Sequence, residues 1–502
     1  MSPFTNQAGR QTDESPIGLA DPSTRSLFTR QLAAVLPQGA LLSSPAECKP
    51  FECDALTAFK QIPPLVALPD SVEQVQQIVR LCNQHGVPLV NRGAGTGLSG
   101  GATPHAAGLL MSLNRMNRVL EIDEPNRRIH VQPGITNLAV SHAVANLGLF
   151  YAPDPSSQLA STIGGNVAEN SGGVHCIKYG LTVHNLLAAE VVLPTGELAI
   201  FNPVNGPDLL GVFTGSEGML GVLVSAWLKL TPRPVGVATI MAGFASVESA
   251  AQAVANTIAS GVTPAGMEMM DRSMTELIED FVCAGYPLDC EALLLCELDG
   301  ETEDLEAQLI QTQSILRKAG ATSLRVGADA AERELMWKGR KSAFPAVGRK
   351  YSDYYCIDGT VPRKRIGEAL KIIEKLSKDF GLPVFNVFHA GDGNLHPLIV
   401  YDQAVPGQTD RALQLGDEIL RVTLELGGTV TGEHGVGLEK LNVMCDQFTS
   451  DELEQFHRLR QAFDPAGIMN PGKAIPTLAR CAELGGMHVH KGKLPHAELE
   501  RY

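Results

Sequence analysis

The sequence predicts a protein of mixed helices and strands with more than one domain, and three observations carry that prediction. An apolar run, an amphipathic helix and a second apolar run precede a glycine-dense loop, 91-NRGAGTGLSGGATP-104. The loop leads into a third apolar stretch, 108-GLLMSL-113, not into a helix. Past the proline-marked exit 231-TPRPVG-236, helical segments such as 246-SVESAAQAVANTIASG-261 alternate with apolar runs such as 291-EALLLCEL-298. At 502 residues the chain exceeds what one hydrophobic core usually supports, and its 44% hydrophobic content suffices for two or three cores.

Charge and composition narrow the function classes. A net charge of −15 excludes a general basic field for nucleic acid, so an anionic substrate requires a local cationic site. No run of 18 apolar residues is present and the amino terminus lacks a signal-type apolar core, which predicts a cytoplasmic protein that meets a membrane only peripherally. The ten cysteines form no C-x-x-C pair and are read as reduced, mostly structural thiols.

The first helix is predicted over 71–86. Ser71 and Gln74 stand in capping-box spacing, Val72, Val75, Ile78, Val79 and Cys82 share one face, and Gly86 ends it. The loop that follows contains G-x-G-x-x-G, but a Rossmann fingerprint needs a helix N-terminus to receive the pyrophosphate, and none follows. Glycines can still let consecutive backbone N–H groups converge on an anion, although a loop with several positive φ angles would read the same. Two more small-residue clusters, 153-PDPSSQLASTIGGNVAENSGG-173 and 214-TGSEGMLGV-222, suit a long ligand such as FAD better than turns alone.

Farther on, 384-VFNVFHAGDGNLHPLIVY-401 reads as a hairpin around a two-residue type I′ turn at Asp392-Gly393. Counting outward pairs His389 with His396 on one face, close enough to share a metal ion with Glu433 of 431-TGEHGVGLEK-440. By spacing alone, paired histidines also suit a surface hairpin, and Glu433-His434 a polar turn. In 337-WKGRKSAFPAVGRK-350, Arg340, Lys341, Arg349 and Lys350 offer cations for a carboxylate or a solvated basic helix face. An amphipathic helix is predicted over 451–465, ending at Pro465, with NPGK following at 470–473.

The glycine loop, PDPSS, IGGNVAENSGG and FTGSEGMLGV together resemble, in order, the FAD domain of the vanillyl-alcohol-oxidase (PCMH-type) flavoprotein superfamily. The resemblance implies a bipartite FAD-binding domain of two α+β subdomains, an α+β cap domain over the isoalloxazine, and a C-terminal helical return. Carried over by motif, Arg92, Gly93, Ala94, Gly95, Thr96, Gly97, Leu98, Ser99 and Gly100 would hold the diphosphate. Pro153, Ser161, Thr162, Gly164, Gly165 and Asn166, then Gly215, Glu217, Gly221 and Val222, and Asn470 of the tail would line the rest. His105 lies beyond the loop, which implies noncovalent FAD, with His175 and Cys176 as the remaining candidates for a covalent link.

HAGDGNLH with GEHGVG resembles the active-site pair of FAD-linked D-2-hydroxyacid dehydrogenases in that superfamily. By that resemblance His389, His396 and Glu433 would bind a divalent ion, Zn or Mn. His434 would be the base, Arg340 would bind the substrate carboxylate, and Asn394 would belong to the catalytic set. From about residue 48 onward, segments such as 282-VCAGYPLDCEALLLCELDG-300 and 463-FDPAGIMNPGKAIPTLARCAELGGMHVH-490 resemble the FAD-binding subunits of bacterial glycolate oxidases. That implies oxidation of glycolate to glyoxylate by hydride transfer to flavin N5, with D-lactate or another D-2-hydroxyacid as the alternative. Electrons would pass to a second flavoprotein subunit and an iron-sulfur subunit on the way to the respiratory chain, since no C-x-x-C-x-x-C site is present in the chain. Expected boundaries are an extension over 1–47, the FAD domain over 48–234, the cap over 235–430 and a completing segment over 431–502. A metal hydrolase and a noncatalytic flavin-binding assembly subunit are the readings from other classes.

Overall fold

A computed structural model describes residues 18–204, 206–477 and 481. The first helix spans Val72–His85, with Ser71 Oγ accepting from Gln74 N at 3.3 Å and Gly86 in the left-handed region. Only half of the capping box forms. Gln74 reaches past Ser71 and accepts from Asp70 N at 3.0 Å. The helix buries Val75, Ile78, Val79 and Cys82 against a four-stranded sheet ordered Leu41–Leu42, Leu65–Ala67, Leu109–Ser112, Leu89–Arg92.

The strand after the glycine loop runs parallel to both Leu65–Ala67 and Leu89–Arg92 and lies between them. The loop is therefore a crossover without a helix, hung from the end of the edge strand Leu89–Arg92 and leading into the inner strand Leu109–Ser112. The far end of the chain returns to the same sheet. Leu89 N donates to Ile468 O, Asn470 N donates to Leu89 O, and Met469 forms a parallel bridge with Leu89 at the sheet's edge.

A second sheet, antiparallel throughout its pairs, runs Val119–Asp123, Arg128–Val131, Val222–Lys229, Leu186–Val192, Leu198–Phe201. The second glycine cluster contains a helix that sequence reasoning did not predict, Ile163–Glu169, whose N-cap Thr162 accepts from Gly165 N at 3.3 Å.

The third sheet is the largest, ordered Ala321–Val326, Gly236–Phe244, Ala292–Gly300, Gly266–Asp271, Val384–His389, Asn394–Leu395, Gly359–Thr360. Asp353–Cys356 joins it through Pro397–Tyr401. Helices Val247–Ala259, Ile366–Phe380 and Gln408–Glu425 pack on one face, and Arg272–Val282, Ala330–Lys341 and Ala343–Lys350 on the other.

Two expectations are corrected here. The hairpin loop is four residues, 390–393, with only Gly393 at positive φ (+85°), so the turn is not type I′ and His389 pairs with Asn394, not His396. The shift is two residues. Because side chains alternate with period two, it leaves His389, Asn394 and His396 on one face, where a one-residue shift would have turned one imidazole away. The cysteines are also not all reduced. Cys445 and Cys481 form a disulfide with Cα atoms 5.6 Å apart, while the other eight are free. Thirty-six residues separate the pair, and no local spacing foreshadows a contact made by tertiary folding. Among the described residues no helix is long and apolar enough to cross a membrane.

Candidate active site

A cavity of about 610 Å³ opens between the glycine loops and the large sheet. The first loop supplies Arg92, Gly93, Ala94, Gly95, Thr96, Gly97 and Leu98; the second supplies Ser161, Thr162, Gly164, Gly165 and Asn166; the third supplies Glu217, Gly221 and Val222. The loops touch one another closely. A Cβ on Gly93 would overlap Thr162 Oγ1, so only glycine lets the first two meet there. Asn91 and Asn166 side-chain nitrogens, Ser161 Oγ and Glu169 Oε2 are buried in this lining without a partner among the described residues. Such atoms call for a polar ligand, and a long cleft walled by glycine backbone fits the extended diphosphate and ribityl portions of FAD.

Five of the residues expected at the cofactor stand behind the lining instead. Ser99 O accepts from Leu438 N at 2.9 Å and Glu439 N at 3.1 Å, and Gly100 packs on the Leu438 side chain. Pro153 O accepts from Asn137 Nδ2 at 3.0 Å, Gly215 N donates to Val167 O at 2.8 Å, and Asn470 Nδ2 donates to Gly101 O and Glu217 O. Glu217 lines the cavity, but its carboxylate accepts from Val436 N and Gly437 N, both at 2.7 Å. These groups brace the walls. The glycine motifs specify where the loops lie, not which atom faces the ligand. Arg92, at the start of the loop, donates to Cys53 O at 2.7 Å. His105, His175 and Cys176 do not line the cavity.

At the far end, His389 Nε2 and His396 Nε2 lie 3.1 and 3.0 Å from the same oxygen, Glu433 Oε1. The ligand atoms of all three residues fall within 4.8 Å of one another. Each imidazole is oriented from behind: His389 Nδ1 contacts Glu268 Oε1 at 2.6 Å and His396 Nδ1 contacts Ile357 O at 3.3 Å. A hydrogen bond on the back nitrogen that frees the front nitrogen is how metal-binding histidines are held, so the donor set fits a divalent ion. Burial opposes charge on His389, yet Glu268 and Glu433 hold its imidazolium well above the usual range, as a cation in the ion's place would be held.

Glu268 is the residue sequence reasoning missed. Its second oxygen takes both Arg340 Nε, at 2.7 Å, and Arg340 Nη2, at 2.6 Å. Arg340 is only 3% exposed and still lines the cavity with Lys341 and Phe344. Arg349 and Lys350 instead lie over the Phe281 and Tyr351 rings, at 6.0 and 5.9 Å. A lone acid inside the apolar run 265-AGMEMM-270 was the available signal.

The loop bearing Glu433 and His434 is built around a second missed acid, Asp358. Its carboxylate accepts from the N–H of Gly432, Glu433 and His434, from Thr431 Oγ1, and from the buried Lys440 ammonium at 3.0 Å. That charge density holds the Asp358 carboxyl far below its ordinary range despite burial. His434 stacks on His396 with ring centroids 4.9 Å apart, and its Nδ1 is buried without a partner among the described residues. Burial pushes its pKa down to about 4 against the opposing pull of Asp358, leaving a neutral imidazole at neutral pH. Asn394, buried on the same face, packs against Gly432 outside the lining. Cys356 forms an overlapping three-atom group with His396 and His434 that no motif announced.

Comparison with known proteins places these features in one family. Residues 63–202 match the family model of the FAD binding domain, and 233–474 match that of the C-terminal domain of FAD linked oxidases. The chain is 54% identical over 468 residues to the glycolate oxidase subunit GlcD of Escherichia coli strain K12, covering 92% of this chain and 93% of that one. It is 31% identical to a D-lactate dehydrogenase of Anaerostipes hadrus, with 84% and 92% covered. Among solved structures, p-cresol methylhydroxylase with substrate bound superposes with a TM-score of 0.79 at 17% identity, covering 91% of this chain and 98% of that one, which shows the bipartite FAD-binding fold. Fold, paired domain matches and near full-length identity agree: the chain belongs to the FAD linked oxidases.

Proposed function

We propose that this chain is the catalytic flavin subunit of a glycolate oxidase, converting glycolate to glyoxylate. The observation that carries the reading is the convergence of Glu433, His389 and His396 beside Arg340 and His434, at the end of the cavity that the glycine loops form. Arg340 receives the substrate carboxylate, its charge kept in place by Glu268 behind it. His434, neutral through burial, accepts the hydroxyl proton as the Cα–H bond breaks. Bound FAD supplies the hydride acceptor. His389, His396 and Glu433 would hold a divalent ion, Zn or Mn, which would make a bound hydroxyl more acidic. The substrate is oxidised by two electrons: its hydroxyl proton goes to His434, and its Cα hydrogen leaves as the hydride that bound FAD would accept.

Residues 48–234 act in this reading as the FAD domain, 235–430 as the cap and 431–502 as the completing segment, with Asn394 steadying the Glu433 loop. FAD is noncovalent. Electrons pass to a second flavoprotein subunit and an iron-sulfur subunit, which bring the chain peripherally to the membrane. D-lactate is the second substrate reading, supported by the Anaerostipes hadrus relative; Phe344 in the lining favours the smaller acid.

Anaerobic titration of the purified yellow protein tests the reading. Glycolate is expected to bleach the flavin band at lower concentration than D-lactate, and a chelator is expected to abolish bleaching until Zn or Mn is restored. A flavin that no 2-hydroxy acid reduces, with partner subunits present, would sink the proposal.

A further inference from the structure

Two neighbouring strands of the large sheet each present one carboxylate to the helix Ala330–Lys341. Gly266 is in register with Glu297, and Glu268 with His389, so Glu268 and Glu297 share a sheet face. The helix answers with two residues one turn apart: Arg340 bonds Glu268, and the Trp337 indole N–H donates to Glu297. Each carboxylate then turns its other oxygen to a histidine. Glu268 reaches His389 inside the active site, whereas Glu297 Oε1 reaches His175 Nε2 at 3.0 Å.

His175 is not a residue of the C-terminal domain. It belongs to the FAD binding domain, and its Nδ1 lies 2.9 Å from Asp154 Oδ2 of the same domain, whose other oxygen accepts His175 N at 3.3 Å. A continuous array, Asp154, His175, Glu297, Trp337, thus crosses from one domain to the other and ends one helical turn from Arg340. Thr239 Oγ1 also donates to Glu297, at 3.2 Å, and Lys341 adds its field at Asp154. Although burial opposes it, the two carboxylates hold His175 as an imidazolium.

We propose that His175 is a positioning residue that ties the FAD binding domain to the Arg340 helix through Glu297 and Trp337, and so sets where substrate carboxylate is held relative to the flavin. The proposal rests on the assignment of Arg340 to that carboxylate. A bridge with both ring nitrogens committed has no proton to exchange with substrate, so its effect is on placement and not on chemistry.

The experiment compares full-length, flavin-loaded wild type with His175→Gln and Trp337→Phe. Amide hydrogen exchange over 330–341 is expected to quicken in both variants while exchange over the Val72–His85 helix stays unchanged. Glycolate KM is expected to rise roughly tenfold with kcat within about twofold, since placement is lost before the chemical step. Unchanged exchange over 330–341, or faster exchange with KM unmoved, overturns the proposal. Should His175→Gln fail to fold, Trp337→Phe removes the last N–H of the array together with part of the ring and carries both readouts. If wild type oxidises no hydroxy acid, the substrate reading falls alone, and the exchange measurement still decides whether the array ties the domains together.

Discussion

Glu268 shows how one buried carboxylate can serve two partners. It is fully buried, and burying a charge is tolerated only when it is paired, which here means Arg340 on one oxygen and His389 on the other. Replacing Glu268 by Gln keeps the shape but removes the charge and one of its two acceptors, so it can no longer accept from both Arg340 and His389. Outer-shell partners of this kind affect metal affinity by about 10–100-fold, so that loss is expected in zinc or manganese titrations of E268Q with flavin content unchanged. Wild-type affinity in E268Q would show that His389 orients itself. The two histidines and Glu433 were legible in the sequence because glycine-rich segments bracket them and strand alternation preserves their common face. Glu268 and Asp358 were not: each is a single acid in an apolar stretch, and its partners stand 72 to 121 positions away in the chain.

Among elements, the Thr431–Lys440 loop depends most on its supports. Asp358 gathers three consecutive backbone N–H groups, and Lys440 neutralises it where both side chains have no solvent exposure. Removing one partner of a buried ion pair costs about 3–5 kcal/mol, far more than an exposed pair. Lys440→Met is accordingly expected to lower unfolding free energy in urea by that amount, and a loss below about 1 kcal/mol would contradict the buried-pair account. Gly435 is a second constraint on the loop, since it sits at φ +82° and a Cβ would overlap Glu169 Oε2. Sequence reasoning found the loop from its glycines, found the helix over 72–85 from its period and caps, and predicted the hairpin with the wrong turn. Asp-Gly is a strong signal for a two-residue turn, but here Gly393 is packed against Val361 O and the longer loop wins.

At the scale of the whole molecule, the two domains meet through charges that no local pattern reveals. His175 is neutral at pH 7 in an unfolded chain and titrates at about 10 when folded, because Asp154 and Glu297 outweigh its desolvation. A raised folded value means that its contribution is complete below about pH 6.5 and disappears as pH climbs through about 10. The Tm gap between wild type and His175→Gln is therefore expected to be widest near pH 6 and to close by pH 10 to 11, read by differential scanning calorimetry in buffers of matched ionic strength. A gap that stays constant over that range would mean that the histidine acts through packing and not charge. The prolines at 232 and 234 are the sequence's expected mark of the boundary, yet the His175–Glu297 contact across it joins residues 122 positions apart, beyond the reach of any spacing argument.

The edge of the first sheet is closed by Ile468 and Met469, residues far downstream of Leu89 in the chain. During synthesis, then, the Leu89–Arg92 strand leaves the ribosome with its outer edge bare, and Leu89 stays unpaired there until Ile468 to Asn470 have been made. The same interval leaves the glycine loop without the Leu438 and Glu439 amides that brace Ser99. A finished flavin-loop scaffold in this sense needs segments from both sides of the large sheet, and a chain truncated before Ile468 would present a sticky strand in its place.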